Sequence, residues 1–209
     1  MKVITGLAMS KIAVVFCALT MGFVGTATAG VQENLDACYS CHGKDGVSTE
    51  PSIPIIGGYS AAYIIDSMTA YRNKERACEE TEILSGPHKG DKKDMCVIAK
   101  DLSEADTKAV AEHLAKEPFV RAKQKFDPEK AKLGKVVQNK QCKKCHEDGG
   151  SSPDDDAGIL AGQWMKYIEQ QMADYSAGKR PMTKKMKVKY EKLSKEDLEN
   201  IIHYYGSFQ

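Results

Sequence analysis

The sequence predicts an all-α protein made of two tandem copies of one small helical domain. Three observations predict it. The second half repeats the first in register, apolar residues recur at helical spacing in both copies, and strand signals are nearly absent. The register is 104 residues: it carries Cys38 to Cys142, Cys41 to Cys145 and His42 to His146, then Gly58 to Gly162, Tyr63 to Tyr167, Ile64 to Ile168, Met68 to Met172 and Tyr71 to Tyr175. Late in each copy it drops to 91, carrying Met95 to Met186, Leu102 to Leu193, Ser103 to Ser194 and Asp106 to Asp197. The difference, 104 − 91 = 13 residues, is an insertion in copy one between Arg72 and Met95.

Each copy reads as three helices and a long loop. The first helix carries Cys-x-x-Cys-His at its C-terminal end. The middle helix, Ala61 to Tyr71 or Met165 to Tyr175, places Tyr, Ile, Met and Tyr on one face. The last begins at Leu102-Ser103 or Leu193-Ser194. Both starts are Ser-x-x-Asp, with a serine free to cap and an acid in the positive first turn. Pro118 and Pro128 bracket a polar linker, Glu117 to Pro128.

Residues 1–29 read as a cleaved signal peptide. Lys2 and Lys11 are its positive region, Ile12 to Leu19 its apolar core and Ala27-Thr28-Ala29 its small-x-small cleavage site. The competing reading is an uncleaved anchor over Ile12 to Val31, but Gly22, Gly25 and three threonines dilute that stretch. The expected mature chain of 209 − 29 = 180 residues is exported to the periplasm and divides at 30–120 and 121–209.

Cys38-Tyr39-Ser40-Cys41-His42 and Cys142-Lys143-Lys144-Cys145-His146 are c-type haem attachment signatures. Two thiols that add across the vinyl groups of one haem must sit about a helical turn apart, and the histidine that follows is held under the iron. A zinc site or redox dithiol would not require histidine after the second cysteine in both copies. The expected cofactors are two covalently bound c-type haems, attached at Cys38, Cys41, Cys142 and Cys145, with His42 and His146 as proximal ligands. Each half is then a class I cytochrome c domain, too small for a generous side-chain core, whose haem supplies the missing apolar centre.

Methionine opposite the histidine raises the potential, which suits a carrier. Met95 and Met186 are the expected sixth ligands. Each lies seven residues before the Leu-Ser of the last helix, in the irregular loop that must cross the haem face. Met182, after Pro181, is the rival in copy two. Met68 and Met172 lie on the apolar face of the middle helix and read as core, and His88, His113 and His203 have no pairing and read as structural. Cys78 and Cys96 bracket the insertion, and in an oxidising compartment they predict a disulfide that closes 96 − 78 = 18 residues and stabilises by about 3 kcal/mol. The alternative is Cys96 as a thiolate ligand in a sulfur-oxidising active site. No residue is assigned a catalytic role.

The whole chain carries +1, unevenly. Residues 30–120 hold 10 basic and 16 acidic side chains, net −6, and residues 121–209 hold 18 and 13, net +5. Lys179 to Lys195 holds most of the excess, beside Met186. Such a split suits two different partners, although an ordinary solvated lysine face is the plainer reading. Nucleic acid is not expected. Asp154-Asp155-Asp156 sits in a Gly/Ser/Pro loop and reads as a solvated turn, not a metal site.

Across the mature chain this layout resembles the dihaem cytochrome c4 group. Copy two is most similar to a relative of that group, the dihaem cytochrome subunit of flavocytochrome c sulfide dehydrogenase. The residues that carry this are Cys142 to Gly150, Ile159-Leu-Ala-Gly-Gln-Trp164, Arg180-Pro-Met-Thr-Lys-Lys-Met186 and the linker Ala122 to Asp127. The resemblance implies that Cys38, Cys41, His42 and Met95 serve one haem and Cys142, Cys145, His146 and Met186 the other. It also implies a non-catalytic electron-transfer subunit that accepts electrons from a sulfide-oxidising flavoprotein. Alternatives are a free cytochrome c4-like shuttle, with a membrane-associated terminal oxidase or a reductase as acceptor, and a dihaem peroxidase or thiosulfate-oxidising enzyme. The insertion between Cys78 and Cys96 departs from the family pattern.

Overall fold

In the computed structural model, residues 27–154 and 156–209 are described, with side chains from Gly30 onward. The signal peptide and its cleavage site therefore lie outside the described side chains. The order of elements is α1 (Ala27–His42), α2 (Ala61–Arg72), β1 (Thr81–Glu82), β2 (Lys92–Lys93), α3 (Met95–Asp101), α4 (Glu104–Leu114), α5 (Pro128–Val137), α6 (Met165–Ser176), α7 (Lys184–Tyr190) and α8 (Lys195–Gly206). Among the described residues no helix is long and apolar enough to cross a membrane.

The repeat is visible element by element. Helices α2 and α6 are offset by 165 − 61 = 104, and α4 and α8 by 195 − 104 = 91. The serines predicted to cap do so: Ser103 Oγ accepts from Asp106 N at 3.1 Å, and Ser194 forms a full capping box with Asp197. Gly58 and Gly162 both turn at φ near +80°, where a Cβ would strike Phe119 N at 2.7 Å or Arg121 Cγ at 2.5 Å.

Two expectations are corrected. Among the described residues each copy has four α-helices, not three helices, because Met95 and Met186 lie on short helices (α3 and α7) and not in irregular loops. Asp94 and Thr183 cap these helices, Asp94 by accepting from Cys96 N and Val97 N, and Thr183 by accepting from Met186 N. The second correction concerns the first helix of copy two. It stops at Val137, widens into a π-type turn over Gln138–Cys142, and leaves Cys145 and His146 beyond any helix, whereas α1 runs through to His42.

The insertion is a β-hairpin. Thr81 pairs with Lys93 and Glu82 with Lys92, and Ile83 below the ladder is buried. A disulfide between Cys78 and Cys96, with Cα atoms 5.6 Å apart, ties its base to α3. Replacing both cysteines with alanine is expected to remove about 3 kcal/mol of stability, seen as a lower urea midpoint with a somewhat steeper slope, because the unfolded chain is no longer cross-linked.

Copy one packs around Leu35, Tyr59, Ile64, Met68, Ala99, Val110 and Leu114, and copy two around Val137, Ile168, Ile201, Tyr204 and Tyr205. The linker, without regular structure from 118 to 127, is fastened to copy two: Ala122 N donates to Gly162 O at 2.7 Å and Gln124 Nε2 to Gln163 O at 2.8 Å.

The copies meet through a pseudo-twofold seam. Gln163, fully buried, corresponds to Tyr59 and donates to its hydroxyl at 2.8 Å. Gln163 also brackets Ile55, accepting from its N at 3.0 Å and donating to its O at 2.8 Å, while Tyr59 donates to Ile159 O, the equivalent of Ile55, at 3.3 Å. Arg76 and Arg180, again 104 apart, cross in the same way. Arg76 reaches Tyr167 Oη at 3.4 Å and Arg180 reaches Tyr63 Oη at 3.1 Å. Each guanidinium lies over a tyrosine of its own copy, Tyr71 at 4.3 Å and Tyr175 at 4.7 Å. Reciprocal contacts of this kind are those of an isologous interface, here written twice into one chain.

Candidate haem sites

In copy one the expected residues converge. Cys38, Cys41, His42 and Met95 line one cavity, whose walls include Ile53, Ile64, Met68, Ile98, Val110 and Leu114. His42 ends α1 and is 8% exposed. Its Nδ1 lies 2.9 Å from Pro54 O, so Nδ1 carries the proton that is donated and Nε2 keeps its lone pair. Burial lowers the imidazole pKa and keeps the ring neutral, as a metal ligand must be. Burial, followed by the neighbouring Cys41, pushes the Cys38 thiol up to about 11. That is the opposite of the low-pKa thiolate of a redox dithiol.

Where the cavity reaches the seam it meets Tyr63, Arg76, Tyr167 and Arg180. Arg76 is buried and Arg180 half-buried, and among the described residues neither has a carboxylate within ion-pair distance. Their nearest shared acceptor is the neutral Gln171 Oε1, at 2.9 and 2.6 Å. Two cations without carboxylate partners at the end of an apolar slot suit a flat apolar group with acidic side arms. On both chemical grounds, the neutral imidazole and the cationic rim, the residues present fit a haem.

In copy two the attachment segment follows the π-type turn. Gln138, fully buried, is a strut: Tyr205 donates to its Oε1 at 2.6 Å, and its Nε2 donates to His146 O at 2.7 Å. Burial pushes the Cys142 thiol up to about 11. Helix α7 packs on the Gln138–Cys142 turn and brings Met186, half-buried, to the same end of the copy. Met182 is half-buried as well, one residue ahead of the cap. Cys145 is exposed and His146 half-exposed.

Met68 is buried and Met172 packs on the copy-two core. His88 is exposed beside Asp91, and His113 lies 3.4 Å from Glu117. His203 accepts from Asp127 N at 2.9 Å. Asp154 and Asp156 are exposed, and Asp155 lies outside the described residues. Cys96 is joined to Cys78, so its sulfur is not a thiolate.

No family model matches the chain. It is 27% identical over 204 residues to cytochrome c4 of Pseudomonas aeruginosa, which covers 89% of this chain and 93% of that one. A reduced recombinant cytochrome c4 from Pseudomonas stutzeri superposes with a TM-score of 0.68 at 24% identity, over 88% of this chain and 100% of the other. The fold is that of a tandem, cytochrome c4-like class I cytochrome c. This dihaem c-type cytochrome is an electron-transfer protein, not a catalyst. A third similarity is partial: a thiosulfate dehydrogenase electron acceptor of Stutzerimonas stutzeri is 32% identical over 84 residues, 40% of this chain and 34% of that protein.

The sequence reasoning missed Gln138, Gln163 and the arginine pair. Arg76 and Arg180 hold the 104-residue register four residues beyond Arg72, so that signal was present and places the insertion after Arg76.

Proposed function

We propose that this chain works in the periplasm as a two-haem relay, taking electrons from an enzyme that oxidises a reduced sulfur compound and passing them to a second redox protein. The observation that carries this reading is the seam. The copy-one cavity reaches Tyr63, Arg76, Tyr167 and Arg180, whose reciprocal contacts join the two copies. Each haem supplies an iron that cycles between ferric and ferrous, one electron at a time.

The chain's own residues do the rest. Cys38 and Cys41, or Cys142 and Cys145, fix the group by two thioether bonds. His42, held at Nδ1 by Pro54 O, and His146, whose carbonyl is held by Gln138, would each offer an imidazole to the iron. Met95 and Met186 would each offer a thioether, a ligand that favours the ferrous state. Arg76 and Arg180, at the seam end of the copy-one cavity, would offset the charge of the group's acidic side arms. A histidine and a methionine for each iron would leave no site for a substrate, which is what a carrier needs.

The sulfide-oxidising flavoprotein is the donor that the likeness of copy two favours, and the partial likeness to a thiosulfate dehydrogenase electron acceptor favours a thiosulfate-oxidising donor. Both are sulfur-compound oxidations. Purification from periplasm without denaturant separates them. A flavin-bearing partner, with the haem absorbance turning ferrous on addition of sulfide, supports the flavoprotein. Reduction by thiosulfate through a co-purifying haem enzyme supports the other. A single chain that neither compound reduces would overturn the sulfur-donor reading and leave a free shuttle.

A further inference from the structure

We propose that the two sites have different access, and that redox partners dock at the copy-two site alone, on a basic face that fits an acidic redox protein. This rests on the dihaem reading above. The inserted hairpin is the first observation. Leu84 N and Ser85 N both donate to Ser40 O, at 2.9 and 3.0 Å, and Ser85 Oγ lies 3.4 Å from the same atom. Ser40 is one of the two residues between the attachment cysteines of copy one, so the hairpin is bonded onto the attachment segment itself. Its neighbours Ala77, Thr81, Ile83 and Lys93 line the copy-one cavity, and the Cys78–Cys96 disulfide pins the strap to α3 beside Met95.

Copy two has no equivalent of this strap, since the 13 residues are missing there. Tyr39, Ser40 and Cys41 are partly buried, whereas their counterparts Lys143, Lys144 and Cys145 are all exposed. The edge where the thioethers form is therefore covered in one copy and open in the other.

Charge makes the same distinction. The open segment carries Lys143 and Lys144, with Lys140 just ahead, and α7 adds Lys184, Lys187 and Lys189, all exposed. Helix α7 packs on the Gln138–Cys142 turn, and the charge of Lys189 is felt at the Cys142 thiol, so these lysines surround one site. Val188, 56% exposed, gives that face an apolar centre. The acids nearby are Glu147, Asp148, Asp197, which feels the charge of Lys140, and Glu191, which lies 3.7 Å from Lys187. The corresponding segment of copy one, Cys38 to Cys41 in the last turns of α1, has no charged side chain, and that half of the chain is net −6. An acidic partner is thus attracted to one end and repelled from the other, and steering of this kind changes encounter rates by about 10-fold or more. In each encounter the reduced partner loses one electron and the ferric iron of the copy-two site gains it, or the reverse. The copy-one site exchanges electrons through the seam.

The test uses the holoprotein and hexacyanochromate(III), an inert, anionic, paramagnetic complex that broadens the NMR signals of the haem methyl groups it approaches. The copy-one signals are those that Met95→Ala alone displaces. The expected result is broadening of the copy-two methyls at least about tenfold greater than of the copy-one methyls, abolished in the Lys184→Glu, Lys187→Glu, Lys189→Glu triple variant. In a Cys78→Ala, Cys96→Ala variant, a neutral paramagnetic probe should begin to reach the copy-one methyls. Equal broadening of both sets, or broadening that survives the triple variant, would overturn the docking face. With two haems per chain in the pyridine haemochrome spectrum, that failure leaves the dihaem reading intact. Fewer than two haems would overturn both.

Discussion

Gln163→Ala is expected to destabilise the protein by about 3 kcal/mol and to separate the unfolding of the two copies. One side chain holds four groups at a fully buried position. Its Oε1 accepts from Ile55 N and Trp164 N, each at 3.0 Å, and its Nε2 donates to Ile55 O and Tyr59 Oη, each at 2.8 Å. Truncation leaves both backbone groups of Ile55 and the N–H of Trp164 without partners, and each buried orphan costs about 1–3 kcal/mol. Water entering the space recovers part of this, which keeps the estimate at the lower end of the sum. Tyr59→Phe leaves Gln163 Nε2 bonded to Ile55 O and orphans only Ile159 O, so it should cost only about 1 kcal/mol. Native urea unfolding followed by haem absorbance checks both. A single transition at Gln163→Ala within about 0.5 kcal/mol of the parent protein would show that the seam does not hold the copies together.

The attachment segments, the repeat and the caps were legible because each is a local pattern. Two thiols and an imidazole at fixed spacing have one dominant chemical use, and Ser103 and Ser194 announce their helices within four residues. The seam was not legible. Gln163 and Tyr59 occupy equivalent positions with unlike side chains, and what they do depends on meeting each other across 104 residues. The short helices were missed for a different reason. Seven residues are too few for an apolar period to emerge, so Met95 and Met186 looked like loop residues although Asp94 and Thr183 stood ready as caps. The early stop of α5 has a physical cause as well: the buried Gln138 turns its amide to His146 O and Tyr205 Oη, and the chain widens around it.

Replacing Met186 with alanine should remove the weak far-red band of one ferric haem and lower that haem's potential by roughly 0.1–0.3 V, within the about 0.8 V range that axial ligands command. Met95→Ala should do the same to the other haem, so each variant leaves half of the band. The local backbone explains why these two methionines are expected to ligate. Met95 opens α3, between Asp94, which accepts from Cys96 N at 2.8 Å and Val97 N at 2.9 Å, and the disulfide at Cys96. Met186 sits three residues into α7, its N held 3.2 Å from Thr183 Oγ1. A thioether on a flexible side chain makes a dependable ligand only when its backbone is fixed, and both backbones are. Met182 precedes the cap and has no such restraint, so Met182→Ala should leave the band and both potentials in place. If Met182→Ala abolishes half of the band and Met186→Ala does not, the ligand of copy two is Met182, and the 91-residue register that pairs Met186 with Met95 reflects helix packing alone.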